Sequence, residues 1–326
     1  MTKLKKTAGI DISKLFFDVC LLCEDGTSLC NQFSNDASGF KKAATWIGPA
    51  ANCVMEATGP YYLRLAVYLH ANGYQVSVVN PLVIKRFCQM RLLRAKTDKV
   101  DAALIASYGS SESLQVWTPP HNYTVTLKQL MALDEELVKQ HTSLCNQLEA
   151  FSCAAVMDKE TKKLYSAQLA FNKNSQAAVQ KRMDTIVQQH YRELQQRLTS
   201  IPGLGKKTII TLIVVTEGFT RFENHKQLSA YFGLSPRIYQ SGSSIKGRAA
   251  ICKMGMSRVR ALLYLCSWSA VKYNEGCRQF YERLLQKNKS KQLALIAVSN
   301  KLIKQAFAIA KNNLMYDPNY QKNICF

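Results

Sequence analysis

The chain has 326 residues, 47% of them hydrophobic, and a formal charge of +21. That length and apolar content suit two domains with real cores and exclude a disordered tail. No apolar run reaches the roughly 18 residues that span a bilayer, and Met1-Thr-Lys-Leu-Lys-Lys6 leads to Gly9-Ile-Asp11 with no apolar stretch between, so the sequence reads as a cytoplasmic protein with no membrane partner.

The first predicted elements are three strands within residues 7–34: Ala8 to Ile12, Leu15 to Leu22, and a run ending at Phe33 after the turn signal Glu24-Asp25-Gly26. Asn35 or Asp36 caps a helix running to about Ile47. Cys53-Val-Met-Glu56 is a fourth strand, and Thr58-Gly59-Pro60 opens a helix that reaches Ala71. Gln75 to Val79 is a fifth strand, and Pro81 suits the first position of the next helix. The order βββαβαβα predicts an α/β domain with a mixed sheet over 1–122.

From Thr124 to Leu198 apolar residues recur three and four apart, as in Leu127, Leu130, Leu133 and Leu137. This pattern predicts long amphipathic helices, a helical hairpin or coiled coil over 123–199. Asn172-Lys-Asn-Ser175 reads as a loop within it. A third, mainly helical segment occupies 200–326, with predicted helices from about Ile251 to Tyr273 and from Gln292 to Asn312. Ser235-Pro236 and a loop at 239–248 interrupt it, and the tail after Asp317-Pro318 reads as loose.

The eleven cysteines are scattered, several in apolar runs such as those of Cys20, Cys53 and Cys266. Buried reduced thiols are the simpler reading. In Cys20-Leu-Leu-Cys23 the period-two geometry of a strand sends the two sulfurs to opposite faces, so no zinc site is expected.

The charge is concentrated. From Ile201 onward there are 20 Lys and Arg against 5 Asp and Glu, a net +15. A basic half of that strength points to a polyanionic partner.

Four acids form the first candidate site. Asp11 interrupts the apolar run of the first strand, and Glu56 ends another strand able to lie beside it. Asp98 and Asp101 are three apart in Lys96-Thr-Asp-Lys-Val-Asp-Ala, so they share one face if that run is helical. Metal-assisted phosphodiester chemistry needs several carboxylates converging on one or two Mg²⁺ ions, which prefer hard oxygen ligands. Taken singly, Asp98 is also explained as a helix-start charge and Asp11 as a turn acid.

Two features of the basic segment form the second. Ile201-Pro-Gly-Leu-Gly205 with Lys206, Lys207 and Thr208 reads either as a phosphate-binding turn of helix-hairpin-helix type or as an ordinary Pro/Gly turn. Ser241-Gly-Ser-Ser244 lies among Arg237, Lys246, Arg248 and Lys253. A serine becomes a nucleophile only with assistance, and these cations suit a phosphate undergoing attack. The same loop is also explained as a flexible Ser/Gly segment, and physics alone does not separate Ser241, Ser243 and Ser244. Tyr239, Tyr264 and Tyr273 intersperse with the cations and read either as rings that stack on nucleic-acid bases or as core.

Gly9-Ile-Asp-Ile-Ser13, Met55-Glu-Ala-Thr-Gly59, Lys96-Thr-Asp-Lys-Val-Asp-Ala102, Ile201-Pro-Gly-Leu-Gly205, Phe232-Gly-Leu-Ser-Pro-Arg237 and Ser241-Gly-Ser-Ser-Ile-Lys-Gly247 occur in this order. Together they resemble the DEDD transposases of bacterial insertion sequences, the IS-one-ten class related to the Piv/MooV DNA invertases. The resemblance runs from about residue 7 to 315. It implies a RuvC-like (RNase H-like) domain, a coiled-coil segment and a C-terminal transposase domain. It implies that Asp11, Glu56, Asp98 and Asp101 bind Mg²⁺ or Mn²⁺, and that Ser241 forms a covalent phosphoserine link to DNA. It also implies a structured guide, the bridge RNA, pairing with donor and target DNA, and a tetramer associated with the bacterial nucleoid. Two other readings stay open: a RuvC-like nuclease or junction resolvase in which Ser241 is structural, and a non-catalytic nucleic-acid-binding protein.

Overall fold

The computed structural model describes residues 6–23, 27–49, 51–57, 59–92, 98–154, 156–237, 240–241, 245–246, 250–252 and 254–319, with backbone alone at Asp98, Arg237, Gln240, Ser241, Ile245, Lys246 and Ala250. They form two compact units, one within 1–120 and one from 121 onward.

The first unit is built on a five-stranded sheet of β1 (Thr7–Ile12), β2 (Phe16–Leu22), β3 (Ser28–Ser34), β4 (Asn52–Glu56) and β5 (Gln75–Val79). The spatial order is β3-β2-β1-β4-β5. β1 pairs antiparallel with β2 and β2 with β3, whereas β1–β4 and β4–β5 are parallel. The mixed sheet expected from the element order is therefore present.

Alternation along β1 and β2 separates two faces. Ala8, Ile10, Ile12, Phe17, Val19 and Leu21 enter a core with Phe40, Ala43 and Ile47 of α1 (Ala37–Ile47) and Leu65, Ala66 and Leu69 of α2 (Tyr62–Ala71). The opposite face, through Val54 and Val79, packs on α3 (Pro81–Met90) and α4 (Asp98–Ser111). Asp36 caps α1 by accepting from Gly39 N at 2.8 Å, and that bond, with further hydrogen bonds from its neighbours, holds its carboxyl below the usual range. α2 begins at Tyr62, later than the Thr58-Gly59-Pro60 signal suggests.

One expectation about the thiols is corrected here. Cys20 and Cys30 stand directly opposite in the β2–β3 register and are joined in a disulfide. Among the described residues the other cysteines are free, and burial pushes the Cys53 thiol up to about 12.

The second unit opens with α5 (Asn122–Ser152) and α6 (Lys159–His190). They are antiparallel, because Gln147 meets Tyr165, Gln140 meets Asn172, and Asp134 meets Gln176 and Gln180. The loop expected at 172–175 does not form. Asn172 is buried on α6 and donates to Gln140, so tertiary pairing overrides the local breaker signal.

α7 (Arg192–Thr199), α8 (Lys206–Thr216), α9 (His225–Tyr231), α10 (Ser257–Tyr273), α11 (Glu275–Gln286) and α12 (Lys291–Asn312) complete the helices. Every residue of α8 from Thr208 to Thr216 is buried, as befits a helix apolar all round at the centre of a core. The ends of α5 and α6 share this core through Leu127, Leu137, Met183, Ile186 and Val187.

α12 is the one described helix long and apolar enough to cross a membrane. Its Val298, Leu302, Ile303, Ala306 and Phe307 are instead core residues of this unit. α11 was not expected from the sequence; Asn274 caps it by accepting from Cys277 N, and of its side chains only that of Cys277 is buried.

The expected interruption at 235–251 is a set of short strands. β6 (Pro236–Arg237) pairs with β9 (Ala250–Ile251), and β7 (Gln240–Ser241) pairs with β8 (Ile245–Lys246). The predicted helix start at Ile251 is corrected accordingly: that residue is in β9, and α10 begins at Ser257.

Candidate active site

Glycine and register set the backbone positions of the four candidate acids. A Cβ on Gly9 would lie 2.2 Å from Ala102 O and 2.2 Å from Ala106 N, so the α4 backbone rides directly on β1 there. A Cβ on Gly109 would lie 2.5 Å from Val54 Cγ2 and 3.0 Å from Thr7 Cγ2. These two crossings orient the helix. Its C-terminal half lies over the start of β1, so its first turn, with Asp98 and Asp101, lies toward the carboxyl ends of β1 and β4.

Those ends carry the other two acids. Gly9 pairs with Val54 and Ile10 with Met55 in the parallel β1–β4 ladder. Continuing that register brings Asp11 level with Glu56, both on the face that α4 covers. The carboxyl end of parallel strands is where open α/β sheets place their ligands. Asp11, Glu56 and Asp101 are each half-buried, an environment that strengthens electrostatic interactions relative to bulk water.

One acid in this row was missed in the sequence. Asp18 of β2 is directly opposite Asp11 in the antiparallel register and so shares its face. It is 4% exposed and accepts a hydrogen bond from Gln32 Nε2 at 3.1 Å. Gln32 is in turn its register partner on β3. The available signal was an acid inside the apolar run Phe16-Phe-Asp-Val-Cys-Leu-Leu22, the argument that singled out Asp11.

The donor chemistry suits a hard divalent cation, since carboxylate oxygens are what Mg²⁺ and Mn²⁺ take. Among the described residues no three His, Cys, Asp or Glu side chains are drawn close enough to grip an ion, and the side chain of Asp98 lies outside that description. The residues fit such an ion in the chemistry of their oxygen donors.

Ser241 belongs to the second unit. It is the last residue of β7 and faces Ile245 in the two-rung hairpin with β8. Residues 242–244, including Ser243 and Ser244, lie outside the described residues, as do Tyr239, Arg248 and Lys253. Arg237 is placed by its backbone opposite Ala250, and Lys246 by its backbone opposite Gln240. The hairpin therefore holds Ser241 and Lys246 on neighbouring strands of one ribbon.

The two lysines after the Pro/Gly turn start α8. Lys206 Nζ lies 2.6 Å from Asp184 Oδ2, and Lys207 Nζ lies 3.0 Å from Asp134 Oδ2. Asp134 is 3% exposed and is also bound by Arg258 Nη2 at 2.9 Å and by Gln180 at 3.2 Å. Burial opposes its ionisation, but the Lys207, Gln180 and Arg258 contacts outweigh that and hold its carboxyl below the usual range. These groups line a cavity of about 250 Å³ with Met131, Met183 and Ile210. Gly203 (φ +101°) is required for packing, because a Cβ there would lie 2.6 Å from the Ala270 backbone. The open position is Gly205, where a Cβ meets nothing within 4 Å.

Two family models match the chain. One, described as a transposase and of the DEDD IS110 type, matches residues 8–152; the other, described as Transposase IS116/IS110/IS902 family, matches 195–282. The first range contains all four candidate acids, and the second contains Ser241 and its neighbouring cations. The chain is 30% identical over 323 residues to the pilin gene-inverting protein of Moraxella lacunata, spanning 96% of this chain and 98% of that relative. It is 23% identical over 325 residues to the transposase for insertion sequence element IS1111A of Coxiella burnetii, spanning 91% and 87%.

Proposed function

Because this chain belongs to the IS110 family of transposases, we propose that it rearranges DNA by cutting strands and rejoining them through a covalent bond to Ser241. One arrangement carries the reading. β1, β4 and the first turn of α4 bring Asp11, Glu56, Asp98 and Asp101 to one end of the sheet, while the same chain presents a serine on a cation-flanked hairpin.

Asp11, Glu56, Asp98 and Asp101 would hold Mg²⁺ or Mn²⁺. Such an ion, when bound, supplies Lewis-acid polarisation of phosphate oxygens and charge stabilisation. Ser241 Oγ attacks the scissile phosphorus, forming an O–P bond as the bond to one deoxyribose oxygen breaks. The serine proton ends, through solvent, on the released deoxyribose hydroxyl. Arg237, Lys246, Arg248 and Lys253 bind the phosphate and offset the negative charge that grows during attack. Because the phosphodiester energy is kept in the phosphoserine, a deoxyribose hydroxyl of a second strand reverses the step and rejoins DNA without ATP.

The +15 charge of the segment after residue 200 supports binding of long polyanions. We assign it to donor and target DNA together with a structured bridge RNA that pairs with both, in a tetramer. In that scheme the protein reads backbone and shape while base pairing reads sequence, as in other RNA-guided systems. Sequencing the RNA that co-purifies with the protein, then offering DNA matched to it, tests this part. A single RNA species that programmes recombination supports it; random cellular RNA with no effect on recombination overturns the guide.

A further inference from the structure

The 41 residues from Ala57 to Thr97 contain six Lys and Arg and no Asp or Glu. Soluble surfaces ordinarily intersperse both signs. Within this run Arg64 lies over the Phe40 ring, on the α1 side of the sheet, and Arg91 lies over the Phe87 ring. Arg94 and Lys96 lie outside the described residues. The remaining cations are Lys85 and Arg86, both on α3.

α3 turns Ile84 and Phe87 into the core against α4. Helical spacing puts Leu82, Lys85, Arg86 and Gln89 on its other face, and all four are exposed. Among the described residues neither Lys85 nor Arg86 forms an ion pair. Arg86 Nη1 donates to Gln89 Oε1 at 2.9 Å, a neutral acceptor that restrains the guanidinium and leaves its charge available. Lys206 and Lys207 differ in this respect, because acids of α5 and α6 meet their charges.

The start of α3 fixes where this face lies. Glu56 pairs with Val79 in the β4–β5 ladder, and Ala57 N donates to Val79 O at 2.9 Å. Asn80 then caps α3 by accepting from Leu82 N at 2.9 Å. The helix therefore begins at the carboxyl end of the sheet, one strand from Glu56. Adjacent strands are about 4.8 Å apart, and a helix advances about 7.5 Å over five residues, so the Arg86 backbone stands on the order of 10 Å from that of Glu56. One DNA strand carries about three phosphates over that length of duplex axis.

We infer that Lys85 and Arg86 bind two backbone phosphates of the DNA, so that α3 of the first unit shares the polyanion with the basic segment after residue 200. The inference rests on the reading of this chain as one that rearranges DNA, which puts the reacting strand at the carboxyl end of the sheet and makes DNA the ligand of α3.

The test is the salt dependence with which the full-length protein binds a synthetic DNA duplex, followed by fluorescence anisotropy, with melting temperature measured alongside. The duplex has arbitrary sequence, because phosphate contacts carry no sequence information. Each phosphate contact contributes about 0.9 to the slope of log K against log salt. The double variant Lys85→Gln/Arg86→Gln should therefore lower the slope by about two units. Lys85→Arg/Arg86→Lys keeps both charges and should keep the slope. Lys41→Gln/Lys42→Gln removes two exposed cations of α1, across the sheet from α3, and should leave the slope unaltered. An unaltered slope in folded Lys85→Gln/Arg86→Gln overturns the inference, as does an equal fall in the α1 variant. A fall seen with structured RNA but not with the duplex also overturns it. Binding is measured without strand transfer, which separates the two levels of the account. A lowered slope without any Ser241 adduct removes the covalent reading alone, whereas an unaltered slope beside a mapped adduct removes only the role of α3.

Discussion

Gly9→Ala tests how the acids are brought together. The added carbon would lie 2.2 Å from two backbone atoms of α4, Ala102 O and Ala106 N, against the 3.4 Å of an ordinary contact. Neither atom can move by a rotamer change, so α4 must retreat from β1 by about 1.2 Å. Overpacking of this kind costs about 1–3 kcal/mol, and the first unit should melt several degrees lower. The catalytic consequence is larger. Asp101 adjoins Ala102, so the retreat carries the α4 acids away from Asp11 and Glu56, and a misplacement near 1 Å costs on the order of a hundredfold in rate. The assays are thermal unfolding followed by circular dichroism and strand transfer on a matched synthetic duplex. Gly276→Ala in α11 is the control, since a Cβ there meets its nearest neighbour at an ordinary 3.5 Å. If Gly9→Ala keeps both the melting temperature and the rate of the unaltered protein, α4 does not cross β1 at Gly9 and the placement of the acids is wrong.

Three further outcomes follow from the second unit and from the cysteines. Asp134→Ala leaves Arg258 and Lys207 without their buried partner and should cost about 3 kcal/mol in urea unfolding. Because the folded carboxyl of Asp134 is held low, its stabilisation is fully present above the ordinary carboxylate range and is lost as pH falls through the folded value. Asp134→Asn should therefore flatten the acid limb of the urea midpoint against pH, and an unchanged acid limb contradicts the linkage. Lys206→Ala should change stability by less than about 1 kcal/mol, because its pair with Asp184 is largely exposed. If Lys206 also contacts a phosphate, the salt dependence of DNA binding should fall by about one unit of slope; an unchanged slope assigns it to Asp184 alone. Iodoacetamide at neutral pH should label exposed Cys153 first, while Cys53 and Cys277, whose thiols burial pushes up to about 12 and about 11, react only on unfolding. Rapid labelling of Cys53 in folded protein would contradict its burial.

The strands and the first helices were legible because their signals are local: apolar runs in β1 and β2, Asp36 as a cap, Pro81 at a helix start. Asp11 and Glu56 were legible for the same reason, as acids at strand positions where apolar residues are expected. Asp18 was not singled out, although it sits in a comparable run, because its place opposite Asp11 comes from the strand register. The continuity of α6 through Asn172 and the pairing of Asp134 with Arg258 depend on partners 32 and 124 residues away, beyond any windowed pattern. Lys206 and Lys207 also have partners distant in sequence. Their position after a Pro/Gly turn suggested phosphate contacts, yet both face acids contributed by α5 and α6. The β6–β9 and β7–β8 pairs are two residues per strand, too short for periodicity to register.

The central claim is the covalent step, and it is tested by mapping the adduct. The protein is incubated with its co-purifying RNA, matched DNA and Mg²⁺, denatured, digested with nuclease and protease, and analysed by mass spectrometry. A nucleotide attached through phosphate to Ser241, absent from Ser241→Ala and from Asp11→Asn, is the expected result. Recombination by Ser241→Ala at the unaltered rate, or a nucleotide found on Ser243 or Ser244 instead, would contradict it.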